Sequence, residues 1–387
     1  MDTIYLDNNA TTRPAPEVVE AVLSALKDSF GNPSSTHAIG QRAAFLVAQA
    51  RREVASCFRA DPPEIIFTSG GTESDNIAIL GALRANPDKR HIVTTKVEHE
   101  AVYRFTEHLE REGYEATYLD VDQDGQLDLN DFRAALRDDT CIASIMAANN
   151  ETGVLSPLEQ IGEICRERNV LFHTDAVQAI GKIPLDLRCL PIDLLSLSAH
   201  KFHGPKGIGA LYIRKPLRIA GLIIGGQQER DIRGGTENVP GIVGLGVAAR
   251  LIEEESEQMH ARMRDMRDRL EREICGAFSF AGVIGGSVPR LPNTAMVAFR
   301  GFTAEEILIG LSEKKICASG GSACHSGALE PSRVLLAMGL ERERAIGAVR
   351  FSLSRYSTDG DIDRLLAVLP EIFEKVGSSS RTTSAAP

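Results

Sequence analysis

From about residue 64 to residue 214, short apolar runs alternate with stretches of helical periodicity. Residues 65–68 read as a strand and 74–84 as the helix that follows. The pairs 91–95 with 99–111, 116–121 with 129–136, and 142–147 with 158–168 repeat that unit. Residues 170–174, 194–198 and 209–213 read as buried strands. Such a rhythm predicts an α/β fold with a mostly parallel sheet covered by helices on both faces. A long helix is predicted over 243–275, where Ile252, Met259, Met263, Met266, Leu270 and Ile274 recur mostly at three- and four-residue spacing. Its other face is densely charged and therefore solvated. The change of domain is placed inside this helix. Residues 14–255 are expected to form a large domain, and 1–13 with 256–376 a small α+β domain. The small domain has strands near 295–299 and 349–353 and helices near 304–311 and 362–373. Residues 377–387, rich in Ser, Thr and Ala, are expected to be a disordered tail.

Composition narrows the class. The chain has 387 residues with 43% hydrophobic and 25% charged content, ordinary for a globular enzyme. A net charge of -10 argues against a broad nucleic-acid or anionic-membrane surface. The N-terminus lacks a basic segment followed by an apolar run, and no stretch has the apolar length of a membrane span. The expected location is the cytoplasm. Seven cysteines, an odd number without a Cys-x-x-Cys pair, suggest neither a zinc knuckle nor a thioredoxin-like site, and fit a reducing compartment. Residues Asp120 to Asp131 nearly match a calcium loop at positions 1, 3, 5 and 6. Position 12 is Asp131 rather than Glu, and the segment before it reads as strand, so an acidic turn is expected and no metal site.

Candidate chemistry gathers at the ends of the strand-like runs. Ser198-Ala199-His200-Lys201 closes one run and enters a Gly/Pro loop. Desolvation there lowers a lysine's pKa and frees the amine for Schiff-base chemistry; the plain alternative is a surface lysine. Asp175 falls at the end of another run, on the edge where open α/β sheets bind ligands. Asp and Lys at neighbouring strand ends meet the needs of pyridoxal phosphate: the carboxylate pairs with the pyridine nitrogen and the amine holds the aldehyde. Gln178, on the same turn as Asp175, is placed to donate to the ring oxygen. Ser69-Gly70-Gly71-Thr72 joins a strand to a helix, so the amides of Gly71 and Thr72 would face an anion from a helix N-terminus. No Gly-Lys-Ser/Thr follows, so this is not a Walker loop. Cys324 lies in Ser319-Gly320-Gly321-Ser322-Ala323-Cys324-His325-Ser326-Gly327-Ala328, too small and too Gly/Ser-rich for a core strand or helix interior. An accessible thiol close to polarising groups is the reactive kind.

These stretches are joined by Tyr5 to Thr12, Val97-Glu98-His99, Asn149 to Gly153, Arg233-Gly234-Gly235-Thr236 and Arg350 to Leu353. Together they span nearly the whole chain and resemble the cysteine desulfurase family (NifS/IscS type) of class V, fold-type I pyridoxal-phosphate enzymes. The resemblance implies a large cofactor-binding domain and a small one carrying the Cys324 loop, about residues 317–331. It implies that Lys201 holds the cofactor and shuttles the substrate α-proton, that Asp175 pairs with the pyridine nitrogen, and that His99 stacks on the ring and moves protons. Gln178 and Asn150 would lie around the ring oxygen and substrate, and Gly71, Thr72, Ser198 and His200 would bind the phosphate. Thr236 would reach the phosphate in the partner subunit, which implies a homodimer. Arg350 would clamp the substrate carboxylate with its planar fork, with Asn150 and Asn8 beside it. Cys324 would take the sulfur of L-cysteine as a persulfide, release alanine, and pass sulfur to an acceptor such as an iron-sulfur scaffold or another thio-cofactor assembly protein. His325 departs from the family, which commonly carries a hydroxyl residue there. It either assists thiolate formation or is an exposed neutral substitution, and the second is favoured because adjacent side chains rarely face each other in extended chain. Cys317, after apolar Ile316, reads as structural. The rival readings are a selenocysteine lyase, a pyridoxal-phosphate aminotransferase, or a non-enzymatic sulfur-transfer scaffold. The presence of Lys201, Asp175 and His99 argues against the scaffold, and an aminotransferase would not need Cys324.

Overall fold

The computed structural model describes residues 3–254, 257–321 and 330–383. Its centre is a seven-stranded sheet in the order Ile65–Thr68, Gly209–Ile213, Leu194–Ser198, Leu171–Asp175, Thr140–Ser144, His91–Thr95, Glu115–Leu119. Gly209–Ile213 runs antiparallel to both of its neighbours, so the two reversals return Ile65–Thr68 to the common direction. The remaining pairs are parallel. The sheet is thus mostly parallel, as the sequence predicts, with one reversed strand that apolar runs alone do not reveal. Six strands deliver their C-terminal loops to one edge.

The helices Pro16–Asp28 and Ala38–Cys57 do not emerge from the periodicity reading, and the reason is in their packing. The inward face of the second is Gly40, Ala43, Val47, Ala50, Val54 and Ala55, mostly small residues rather than a broad stripe of large ones. It meets glycines of helix Val239–Glu254: a Cβ at Gly246 would lie 2.7 Å from Ala50 Cα, and one at Gly244 2.7 Å from Val22 Cγ2. Close backbone approach, not side-chain bulk, makes this interface.

Helix is present on both sides of residues 255–256, as Val239–Glu254 and Glu257–Ala277. The apolar positions predicted for one stripe divide between two cores. Ile252 packs on the core of the large sheet, whereas Met263, Met266, Leu270 and Ile274 join the core beneath a second sheet. That second sheet is antiparallel, in the order Ser319–Gly320, Ala348–Ser352, Thr294–Phe299, Ala281–Val283. Helix Ala304–Glu313 covers it, opened by a capping box of Thr303 and Glu306. The last helix, Asp359–Thr383, extends past Gly377, where the composition predicts disorder to begin. The acidic turn after Glu115–Leu119 closes on itself: Asp122 Oδ1 accepts from the amides of Asp124 and Gln126, and Gly125 takes φ +85°. Among the described residues, no helix is long and apolar enough to cross a membrane.

The N-terminal segment joins the two sheets. Ile4–Tyr5 pairs in parallel with Ile316–Cys317, and Ser352 N donates to Leu6 O at 2.7 Å. A few residues later, Thr12 N donates to His200 O at 2.8 Å and Ala15 N to His203 O at 2.9 Å. The chain therefore passes from the small sheet directly to the loop that carries Lys201.

Phe373 is the aromatic centre of the smaller core, with ring centroids of Phe278, Phe280, Phe299 and Phe302 at 4.9–5.1 Å. Phe373→Ala is expected to destabilise the protein by about 3–5 kcal/mol in chemical denaturation, because four rings cannot collapse into the vacated space.

Candidate active site

Five of the six strands that end at the common edge end in or are followed by a polar residue expected in the site: Thr72, His99, Asn150, Asp175 and Lys201. Lys201 follows Leu194–Ser198 by one short turn. Its Nζ donates to the backbone carbonyls of Asn9 at 2.6 Å and Ala10 at 2.9 Å. No carboxylate is among these two acceptors, and burial, with Arg350 nearby, lowers its pKa to about 8. Asp175 closes Leu171–Asp175 and is buried, with Oδ1 accepting from Val177 N at 2.9 Å. Burial raises its pKa, while His99 and Lys201 oppose that rise. Asp75 stands behind it, raised further by burial and by the charge of Asp175, so Asp75 is the neutral member and Asp175 ionises first. Buried His173 bridges Ser144 Oγ (2.8 Å) and Ser196 Oγ (2.9 Å), and burial holds it neutral at a pKa of about 3.

His99 lies just beyond His91–Thr95 and caps helix Glu100–Arg111, its Nδ1 accepting from Ala101 N at 3.1 Å. With Nδ1 accepting, the ring carries its proton on Nε2 when neutral. Glu98 fixes this turn from below. It is fully buried, and its Oε1 accepts from Thr95 Oγ1 and Met146 N, both at 2.9 Å. Its Oε2 has no hydrogen-bond partner, and burial raises the pKa to about 8.

The turn expected to cradle a phosphate opens a helix. Helix Gly71–Ala85 starts at the turn after Ile65–Thr68, so the amides of Gly71 and Thr72 have no intrahelical acceptor. A Cβ at Gly71 would lie 2.7 Å from Val177 Cγ2, which brings the cradle against the Asp175 turn. Ser198 is buried near Gly70, with Oγ 3.6 Å from the position of a Cβ there. His200 Nδ1 pairs with Thr11 Oγ1 at 3.1 Å, and burial lowers its pKa to about 4. Thr236 is exposed, on a loop that Arg233 ties to the cradle through Glu73 Oε1 at 3.0 Å.

Arg350 comes from the small sheet. It is buried, its two terminal nitrogens donate to Asp7 Oδ1 and Asn150 O at 2.8 Å, and its Nε has no partner among the described residues. Asn150 Oδ1 is likewise buried without a partner. Asn8 turns its amide to the carbonyls of Tyr5 (3.2 Å) and Ser352 (2.8 Å). Cys324 and His325 lie outside the described residues.

Three further residues belong to the site's wall, and sequence reasoning does not single them out. Buried Asn9 accepts Lys201 and Gln178 on its carbonyl, and Lys182 and Asn293 on its side-chain oxygen. Asp7 pairs with Arg350. Lys182 is itself buried. Asn9 and Asp7 stand in the Tyr5 to Thr12 stretch; Lys182 has only its four-residue spacing from Gln178 as a signal.

The residues fit pyridoxal phosphate. A low-pKa lysine, a buried carboxylate, a helix N-terminus with free amides and an arginine with an unused Nε line one edge. The sequence profile of the class-V aminotransferase family matches residues 4–365. A cysteine desulfurase of Trichormus azollae is 52% identical over 380 residues, covering 98% of this chain and 95% of that one. Cysteine desulfurase IscS of Methanosarcina thermophila is 49% identical, covering 98% and 94%. A solved NifS-like protein superposes with a TM-score of 0.90 at 39% identity, covering 96% of this chain and 100% of that one.

Two measurements follow from these titrating groups. Capture of pyridoxal phosphate by the cofactor-free protein should accelerate with pH around a midpoint of about 8 rather than 10.5, because the neutral Lys201 amine is the reacting form. A stopped-flow absorbance profile checks this. Glu98, raised from 4.5 to about 8, favours the folded state fully at low pH and loses that contribution as pH rises through about 8. Glu98→Gln, which mimics the protonated form, should therefore gain stability relative to wild type between pH 5 and 8, on the order of 2–4 kcal/mol by denaturant titration.

Proposed function

Because the chain belongs to the class-V aminotransferase family, as a pyridoxal-phosphate-dependent cysteine desulfurase of the NifS/IscS type, we propose that Cys324 is the thiol that receives the substrate sulfur. The observation that carries this reading is where the two flanks of residues 322–329 stand. On one side, Ser319 pairs directly with Arg350, and a Cβ at Gly321 would lie 2.7 Å from Glu151 Oε2. On the other, Ser332 Oγ donates to the same Glu151 oxygen at 2.5 Å, and Arg333 reaches Glu98 O beside His99. One flank meets Arg350, and the other meets the chain neighbours of Asn150 and His99.

Pyridoxal phosphate, when bound, supplies an aldehyde that condenses with amines and a ring that withdraws electrons. The phosphate is proposed to rest on Gly71, Thr72, Ser198 and His200, with Asp175 facing the pyridine nitrogen and Gln178 the ring oxygen. Arg350 binds the carboxylate of L-cysteine through its unused Nε edge, with Asn150 and Asn8 beside it. Lys201 moves the α-proton, and His99 stacks on the ring and carries a proton on Nε2. The Cys324 thiolate forms an S–S bond to the substrate sulfur as the C–S bond breaks. The electron pair of that bond stays on the substrate carbon, which takes a proton and leaves as alanine. The persulfide on Cys324 then passes to an acceptor protein, for iron-sulfur cluster or other thio-cofactor assembly.

A homodimer supplies Thr236 to the partner's phosphate in this proposal. Its support is an exposed apolar surface on and between the first two helices, including Leu26, Phe30 and Phe45, of which Phe30 is 74% exposed. Those helices pack on helix Val239–Glu254, which begins three residues after Thr236. A reducing, cytoplasmic setting suits Cys141, Cys165, Cys189, Cys275 and Cys317, which form no disulfide among the described residues. The large domain is proposed to span 14–255, and the small one 1–13 and 256–376.

With L-cysteine and a reductant, wild type should release alanine and sulfide together. Cys324→Ser should keep the cofactor's visible absorbance yet lose sulfide release by about a hundredfold or more. Undiminished release from that variant would refute the assignment of Cys324.

A further inference from the structure

A buried lysine that the proposed reaction does not use lies behind the cofactor wall. Lys182 is 8% exposed, and its Nζ donates to Gln178 Oε1 at 2.9 Å and Asn9 Oδ1 at 3.2 Å. Both acceptors are carboxamide oxygens, so no countercharge explains an amine buried here. Lys182 and Lys201 line the same cavity of about 30 Å³, and Lys201 and Arg350 add positive charge on that side. Burial and those two cations lower the pKa of Lys182 well below 10.5. The amine acts by hydrogen bonding.

The two ends of the Gln178 carboxamide are read separately. Asn9 O can only accept, so the amide nitrogen must face it, at 2.9 Å. The amide oxygen then points to Lys182, whose N–H satisfies it. One amide hydrogen is spent on Asn9 and the other is left for a ligand. Without Lys182 the buried oxygen loses its donor, and the carboxamide is held at its nitrogen end alone, by Asn9 O.

We infer that Lys182 is a positioning residue: acting through Gln178, it locks the carboxamide in the orientation that leaves one N–H free for the cofactor's ring oxygen. The inference rests on the proposed placement of Gln178 beside that oxygen. A donor there competes with the proton on the linking nitrogen of Lys201 for the same oxygen. Losing the donor therefore raises the pH midpoint of the visible absorbance.

The test uses four holoenzymes: wild type, Lys182→Met, Gln178→Leu and the double variant. Lys182→Met replaces a buried amine by an apolar chain of similar length but leaves Gln178 Oε1 without its donor, so its melting temperature should fall by only a few degrees. Its absorbance midpoint should rise by about half to one pH unit, the equivalent of one neutral hydrogen bond. In the Gln178→Leu background the same substitution should add nothing, because both changes remove one interaction. An unchanged midpoint in Lys182→Met overturns the inference, and so does a full additional shift in the double variant. If Lys182→Met and Lys182→Gln both fail to fold, Lys182 serves the fold and the positioning role is also overturned. A wild-type protein without the absorbance, or a Gln178→Leu variant without a shift, would instead refute the site reading on which the inference rests.

Discussion

The backbone carbonyl of Asn9 is the point on which the site depends. It takes Lys201 Nζ at 2.6 Å and Gln178 Nε2 at 2.9 Å, using both of its lone pairs. The Asn9 side chain meanwhile binds Thr294 Oγ1 and Asn150 O through its nitrogen, and Asn293 and Lys182 through its oxygen. One buried residue thus ties the lysine loop of the large sheet to the central strand of the small sheet. The segment around it makes backbone bonds to both, from Leu6 at Ser352 to Ala15 at His203. Arg350 approaches the lysine from a different sheet because this segment holds the two together. A carbonyl restrains an amine without neutralising it, so Lys201 stays a poor base for bulk protons and a good nucleophile.

Several buried groups stand far from their ordinary protonation. Asp75 and Glu98 are pushed up, and His173, Lys182 and Lys201 are pushed down, in each case chiefly by burial. Burying ionisable groups costs stability, and the cost falls where charge must be controlled. Asp75 and His173 are both neutral, so Asp175 is the group on that side left to carry negative charge toward a pyridine nitrogen. Glu98 and Glu151 act in a related way at the periphery. Glu98 accepts hydrogen bonds from Thr95 and Met146 beneath the His99 turn, and Glu151, raised to about 7, accepts from Ser332. The proton on each is tied to the geometry of a turn that borders the proposed substrate site.

The legible part of the site consists of residues whose chemistry and strand-end position coincide. Lys201, Asp175 and the Gly70-Gly71 turn can be read because charge and glycine are out of place at the ends of apolar runs. Asn9, Asp7 and Lys182 cannot be read in that way. Asn9 and Asp7 act through contacts some 140 to 345 residues away in the chain, as with Asn150 and Arg350. Lys182 is a common residue in a turn, and only its burial makes it unusual. The first two helices escape for another reason. Their contacts set Ala50 against Gly246 and Val22 against Gly244, and an interface built on small residues leaves a weak periodic signal although it packs closely.

The sequence by itself determined the alternation of strands and helices, the strand ends that carry chemistry, and the resemblance that names the cofactor. Those are local properties: periodicity, turn chemistry and residue type at a fixed spacing. Only the tertiary structure decided that Gly209–Ile213 runs backward, that one apolar stripe serves two cores, and that Arg350 keeps Nε unpaired beside Asn150. It also brought a second lysine, Lys182, against the same wall as Lys201. Lys182 is buried and Lys201 half-buried, and their difference lies in their acceptors: two backbone carbonyls for Lys201, two carboxamide oxygens for Lys182. Hydrogen-bond partners are set by distance in space, which the order of residues along the chain does not contain.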